Sequence, residues 1–183
     1  MIKVGVTGSI ASGKSTVAQI LSLKKYPIFN ADKEVLKIYK KKSFKKLAHK
    51  KLGANKKSDI KILLRESPKK LKVIEKLIHP LVRKELKRFI KKFKSKKLLI
   101  FEIPLLVESK LMKNFHSIIL VNCKKKTRLK RFIQRGKDKK LFEILENRQL
   151  KPGKKRKFCN YVINNNNSLK ILKKNVNILR NKL

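Results

Sequence analysis

Five short stretches of this chain are dense in apolar residues, and the segments between them carry apolar residues at three- and four-residue spacing. Ile2–Val6, Pro27–Phe29, Lys97–Glu102, Ser117–Asn122 and Cys159–Ile163 have strand length and β-prone content. Thr16–Leu23, Thr127–Arg135, Leu141–Leu150 and Leu169–Leu179 have the helical period, the middle two joined through Gly136 and the last two separated by a basic turn, Lys151–Lys157. From Lys33 to about Lys94 the period is helical throughout. Leu71, Ile74, Leu77 and Ile78, then Leu81, Val82, Leu86, Phe89 and Ile90, mark one face, and Gly53, Pro68 and Pro80 are expected to cut the stretch into several short helices. Strands alternating with helices predict an α/β fold, a parallel five-stranded sheet with helices on both faces. The long helical stretch after the second strand reads as an insertion. No repeat and no flexible linker divides the chain, so the expectation is a single domain over residues 1–183.

Composition changes that picture little. Apolar residues make up 41%, enough for a core despite 35% charged residues. The net charge of +42 comes from 53 basic against 11 acidic residues, and 44 of the basic ones are lysine. Such a chain attracts polyanions, but its lysines are spread from end to end, as at Lys40–Lys42, Lys91–Lys92 and Lys124–Lys126. Abundant Asn and Ile, including Asn164–Asn167, accompany them, the pattern that A/T-rich codons produce. Few arginines and no tryptophan argue against a dedicated nucleic-acid surface, so no specific nucleic-acid partner is expected. No stretch is long and apolar enough to span a membrane, and the first residues lack the pattern of a secretory signal. Cys123 and Cys159 stand far apart without metal-ligand spacing, which suits a reducing, cytoplasmic setting. The oligomeric state is left open, a monomer included.

The chemistry concentrates in one place. Gly8-Ser9-Ile10-Ala11-Ser12-Gly13-Lys14-Ser15 fits the phosphate-loop pattern, and it lies between the first predicted strand and the first predicted helix. Glycines there allow backbone N–H groups to face phosphate oxygens beside the positive end of the helix. In such a loop Lys14 bridges the β- and γ-phosphates, Ser15 ligates Mg²⁺, and Thr16 adds a hydroxyl near the α-phosphate. The length is short for a motor, and no N-K-x-D guanine motif is present, which leaves a small-molecule kinase. Asp32, at the carboxyl edge of the second strand, is the candidate to face an acceptor hydroxyl, with an N-cap for a helix starting near Lys33 as its other role. Another P-loop nucleoside or nucleotide kinase, and a basic protein that merely keeps the nucleotide fold, remain as alternatives.

Taken together, several motifs resemble the dephospho-coenzyme A kinase family along nearly the whole chain. Val6-Thr7-Gly8-Ser9-Ile10-Ala11-Ser12-Gly13-Lys14-Ser15-Thr16 is similar to T-G-G-I-G-S-G-K-S-T, and Asn30-Ala31-Asp32 to D-A-D. Leu77-Ile78-His79-Pro80-Leu81-Val82 resembles L-x-H-P-x-V, and Glu102-Ile103-Pro104-Leu105-Leu106-Val107-Glu108 resembles D-x-P-L-L-F-E. Arg128-Leu129-Lys130-Arg131 with Gln134-Arg135 looks like the lid helix, and Tyr161–Asn165 like D-x-V-I-x-N. The resemblance implies phosphorylation of the 3′-hydroxyl of dephospho-coenzyme A with ATP and Mg²⁺. It implies a core (1–32, 95–122 and 158–183), a helical acceptor-binding insertion (33–94) and a lid (123–157). It places Lys14, Asp32 and Arg131 in catalysis, the loop residues 8–16 and Arg135 on ATP, and Asp32, His79, Pro104, Leu105 and Glu108 at the acceptor. His79 has a second reading as part of a helix-breaking corner, and Glu108 as a helix cap. The chain departs from the family at Asn30, which replaces an Asp, and at Ala11, which replaces a glycine and fits if its φ is negative. Arg131 and Arg135, four apart, are expected on one helical face, with Arg128 on another, where a change to lysine would be nearly silent.

Overall fold

The computed structural model of the chain describes residues 1–52 and 68–183; Gly53, one of the expected helix breakers, lies outside the described residues. Two compact units are present, one formed by Met1–Asn30 with Phe93–Leu183 and the other by Ala31–Lys92.

The first unit is built on five parallel strands, β1 (Ile2–Thr7), β2 (Ile28–Asn30), β3 (Leu98–Glu102), β4 (Ser117–Asn122) and β5 (Tyr161–Asn164), in the order β2-β3-β1-β4-β5. Every residue of β3 is buried, as are Val4–Thr7 of β1 and Ile118–Val121 of β4, which is why these strands read as largely apolar runs. Helix α1 (Lys14–Ser22) crosses one face of the sheet with α8 (Leu169–Arg180). Val17, Ala18 and Leu21 of α1 meet Leu172, Val176 and Leu179 of α8 over Val4, Val6, Ile119 and Val121. Ser168 caps α8 by accepting from the Ile171 N–H. Phe101 packs edge-on against Phe115 beyond the sheet, after a 3₁₀ turn at Met112–Asn114.

Three further helices follow β4 in this unit: α5 (Lys125–Ile133), α6 (Lys139–Asn147) and α7 (Pro152–Arg156). The last replaces the expected basic turn. Pro152 opens it, a position that needs no N–H and already has a helical φ, so five residues suffice for a single turn. Asp138 caps α6 through the Leu141 N–H, and Phe132 of α5 stacks edge-on against Phe142 of α6.

The second unit is helical: α2 (Ala31–Lys40), α3 (Lys42–Leu52) and α4 (Pro68–Lys92). Ile38 of α2, Phe44 and Ala48 of α3, and Ile74 and Ile78 of α4 form its core, with Tyr39 edge-on against Phe44. An ion pair between Lys41 and Glu85, 2.9 Å, joins the α2–α3 corner to α4. The expected break at Pro80 is absent, because α4 runs through it for 25 residues. Proline forfeits one backbone hydrogen bond, but Pro80 is exposed, and the apolar stripe holds the helix before and after it: Ile74 and Ile78 on one side, Leu81 and Val82 on the other.

Candidate active site

Because all strands are parallel, their carboxyl ends lie along one edge of the sheet. Register pairs Val6 with Glu102, Asn30 with Glu102, and Asn122 with Asn164 there. Directly beyond β1 the chain turns through Gly8–Gly13 and enters α1, the strand–loop–helix arrangement expected from the motif. Two glycines make the turn possible. At Gly8, φ is +148° and a Cβ would come within 2.4 Å of the Val121 carbonyl oxygen. At Gly13, φ is +96° and a Cβ would stand 2.1 Å from Asn165 Nδ2. Gly13 also forms the N-cap of α1 without any side-chain hydrogen bond, and no acid of the helix itself occupies its first turn.

Inside the loop, the Lys14 ammonium is buried and donates to the Ser9 carbonyl at 2.9 Å. Ser9 also accepts from the Ser12 N–H. The Ser12 hydroxyl is buried and makes no hydrogen bond, a donor waiting for an acceptor. Ser15 donates from Oγ to Glu102 Oε1 at 2.6 Å, and Glu102 Oε2 accepts from the Asn30 amide. Glu102 is 5% exposed, so it is a carboxylate held at the bottom of the phosphate loop by a hydroxyl and an amide. Sequence reasoning quoted Glu102 within a motif without giving it a role. Its signal was an acid at the end of a buried strand, but only the sheet order, with β3 beside β1, brings it to Ser15. Thr16 is half-buried in the first turn of α1.

Ala11 has a φ of +57°, not the negative value expected of an alanine in that place. The left-handed conformation costs an L-residue with a Cβ about 1–2 kcal/mol, and the structure imposes it nonetheless. Ala11 is buried against Phe132 and Phe142, with Ile10, Leu129, Leu141 and Leu145 around them, so the tip of the phosphate loop is packed into the α5–α6 pair.

The arginines after β4 differ from expectation. Arg128, expected on a separate helical face, is 2% exposed. It donates to both carboxylate oxygens of Glu146 at 2.6 Å, to the Cys123 carbonyl at 3.0 Å and to the Ile10 carbonyl at 3.3 Å, and it lies over the Phe142 ring. Its hydrogen bonds hold the Glu146 carboxyl below its ordinary value, against the opposing pull of burial. Helix α5 ends at Ile133, so Arg135 stands in the exposed turn beyond it and not on a helical face shared with Arg131. Arg131 is half-buried and donates to the Asn165 carbonyl at 3.0 Å, while Asn165 Nδ2 donates to the Ser12 carbonyl at 2.8 Å. Thus Arg131 connects to the phosphate loop through one asparagine.

Past β3, the Pro104 carbonyl accepts from Thr7 Oγ1 at 3.0 Å and from Lys155 Nζ at 2.9 Å. Lys155 is fully buried and pairs with Glu108 at 2.9 Å; the same oxygen of Glu108 accepts from the Leu150 N–H. Glu108 is therefore no helix cap, and its other oxygen is buried without a hydrogen bond. Leu105 is half-buried beside it, its carbonyl accepting from the Ser109 N–H. In the helical unit, α2 starts at Ala31, so Asp32 is exposed in the first turn and not at the N-cap. His79 is half-buried inside α4, which removes the corner expected there.

A parallel sheet with β1 central, a phosphate loop at its carboxyl edge and a serine–carboxylate pair beneath that loop define a P-loop kinase. The dephospho-CoA kinase family profile (CoaE) matches residues 2–170. The dephospho-CoA kinase of Bartonella henselae is 33% identical over 175 residues, covering 91% of this chain and 90% of that one. Among solved structures, TT1252 from Thermus thermophilus superposes with a TM-score of 0.83 at 29% identity, over 100% of this chain and 97% of that one. The dephospho-CoA kinase of Campylobacter jejuni superposes with a TM-score of 0.64 at 25% identity, over 98% and 96%. The chain belongs to the dephospho-CoA kinase family.

Proposed function

We propose that the phosphate loop, Glu102, Asp32 and the arginines after β4 divide one phosphoryl transfer among them. As a member of its family, the chain phosphorylates the 3′-hydroxyl of dephospho-coenzyme A with ATP, the final step of coenzyme A biosynthesis. The observation that carries the assignment of parts is the Ser15–Glu102 contact, a hydroxyl and a carboxylate 2.6 Å apart under a loop whose Ser12 hydroxyl has no partner. That donor set fits Mg²⁺, which favours oxygen ligands and keeps several waters. Ser15 would hold the ion directly and Glu102 through water; when bound, Mg²⁺ supplies positive charge to the phosphate oxygens.

Lys14 exchanges the Ser9 carbonyl for the β- and γ-phosphates and stabilises charge that grows on the transferring group. The N–H groups of the loop, at the open end of α1, hold the remaining phosphate oxygens, with Thr16 near the α-phosphate. Asp32 accepts the proton of the acceptor hydroxyl, or orients that hydroxyl for attack. His79, Pro104, Leu105 and Glu108 address the acceptor, and the unit Ala31–Lys92 is its binding insertion. Residues 123–157 act as the lid, with Arg131 and Arg135 directed at phosphate. Among the described residues no helix is long and apolar enough to cross a membrane, and two buried free thiols suit the cytoplasm.

A coupled assay with dephospho-coenzyme A, ATP and Mg²⁺ tests the reading. ADP release dependent on all three is expected, and Lys14→Ala should abolish it while leaving the melting temperature in place. Near-normal turnover by Lys14→Ala would refute the mechanism.

A further inference from the structure

The backbone of Ile10 is held on both sides of its Cα, once in each of the two peptides that flank it, by side chains from the segment after β4. Its N–H donates to Gln149 Oε1 at 2.9 Å, and its C=O accepts from Arg128 Nη1 at 3.3 Å. Gln149 follows the end of α6, and Arg128 lies in α5, where Glu146 of α6 clamps it bidentately. The next residue, Ala11, carries the left-handed φ of +57°. A left-handed residue thus follows directly on two tethered peptides, and its side chain is enclosed by Phe132 and Phe142 of the same two helices.

We propose that Gln149 and Arg128 are positioning residues for the phosphate loop: they hold the two peptides on either side of the Ile10 Cα so that Ala11 keeps a conformation its side chain disfavours, and thereby keep the loop's N–H groups in the arrangement that binds phosphate. Alanine at this position would by itself prefer a negative φ, which rotates the peptide plane that follows it. Fixing the two successive peptides before Ala11, each by one hydrogen bond, restricts that freedom. The bond to Gln149 is the more separable of the two, because Arg128 also builds the α5–α6 pair through Glu146. Loss of the Gln149 acceptor leaves the Ile10 N–H without its partner and lets the loop populate conformers that bind phosphate poorly. Apparent affinity then falls by the fraction of competent loop that remains.

This proposal rests on the phosphate loop being the nucleotide site, and the two are tested separately. Binding of ADP with Mg²⁺ to the wild-type chain by calorimetry tests the site itself; no binding refutes the site. Given binding, Gln149→Leu should weaken ADP at least about fivefold, about 1 kcal/mol at 1.4 kcal/mol per decade, with the melting temperature moved little. Gln149→Glu keeps an acceptor oxygen and should stay within about twofold of wild type. Ala11→Gly added to Gln149→Leu should recover at least half of the lost affinity, because glycine adopts the left-handed conformation without a tether. A merely structural role for Gln149 would lower the melting temperature without that rescue. Unchanged ADP affinity in Gln149→Leu, equal losses in the Leu and Glu variants, or no recovery with Ala11→Gly would each overturn the proposal. Should Gln149→Leu fail to fold, amide exchange in the nucleotide-free wild type decides: slow exchange at Ile10 supports the tether, and exchange at the free-peptide rate overturns it.

Discussion

Arg128→Lys is the sharpest test of how the segment after β4 is held together, since it keeps the charge and changes only the geometry of donation. The guanidinium makes two bonds to Glu146, one to Cys123 and one to Ile10, and is 2% exposed. A lysine ammonium reaches Glu146 as a point charge, retaining one of the two carboxylate bonds and at best one of the two carbonyl bonds. The lost carboxylate bond is charge-assisted, worth about 1.5–3 kcal/mol, and a lost carbonyl bond about 0.5–1.5 kcal/mol. The loss is thus about 2–4 kcal/mol, and for a chain of this length about 2–4 °C of melting temperature accompany each kcal/mol. A drop of about 4–16 °C by circular dichroism is expected at pH 7, against almost none for Arg135→Lys in its exposed turn. The pH dependence has a definite sign. The Glu146 carboxyl lies below its ordinary value of 4.5 in the folded chain, chiefly through its hydrogen bonds from Arg128. Its stabilisation is therefore present above about pH 4.5 and lost as pH falls through the lowered folded value. The gap between wild type and Arg128→Lys should narrow over that window. A drop under 2 °C at pH 7, or a gap that does not change with acid, would refute the reasoning.

Three more outcomes are expected. Asp32→Asn should lower kcat by at least about a hundredfold, the usual scale of general-base catalysis, while KM for ATP changes little in steady-state kinetics; an unchanged kcat would leave Asp32 with only its place in the first turn of α2. Gly13→Ala, whose methyl would displace the Asn165 amide from the Ser12 carbonyl and sit at a φ of +96°, should weaken ADP binding at least about tenfold by calorimetry, since strain and a lost buried hydrogen bond together exceed about 1.4 kcal/mol. Burial pushes the Cys159 thiol up to about 11 and raises Cys123 as well; the neutral thiol stabilises the fold below about pH 9 and that contribution disappears toward pH 11, so alkylation by iodoacetamide at pH 8 should be slow in the folded chain and complete at both cysteines once urea is added.

Local physics explains which parts of this molecule could be read in advance. Ser117–Asn122 is a strand with the bounds its apolar run suggests, because a strand whose four central residues are buried needs no information from elsewhere. The phosphate loop was equally legible, its glycines being required by backbone conformation within the loop itself. Pro80 misled because a proline's cost is local whereas the stripe that outweighs it, Ile74 and Ile78 before it and Leu81 and Val82 after, depends on packing against α2 and α3. Glu102 could not be recognised as a partner of Ser15 without the strand order, since 87 residues separate them. Arg128 shows the same limit on a smaller scale: helical spacing says which face it occupies, not that Glu146 waits there. Ala11 inverted a rule of conformational preference, and only the packing of Phe132 and Phe142 and the tether on Ile10 account for it.

The sheet ends at β2 on one side and β5 on the other, and these are its two shortest strands, three and four residues long. An edge strand offers unpaired N–H and C=O groups that another copy can extend, and the stability of that join grows with the number of residues aligned. Here each margin offers too short a run to template a second sheet. This protection is geometric, so it survives the high salt that screens the repulsion of a charge of +42. Concentrated preparations of the folded chain should therefore resist edge-to-edge polymerisation even where electrostatic repulsion no longer keeps molecules apart.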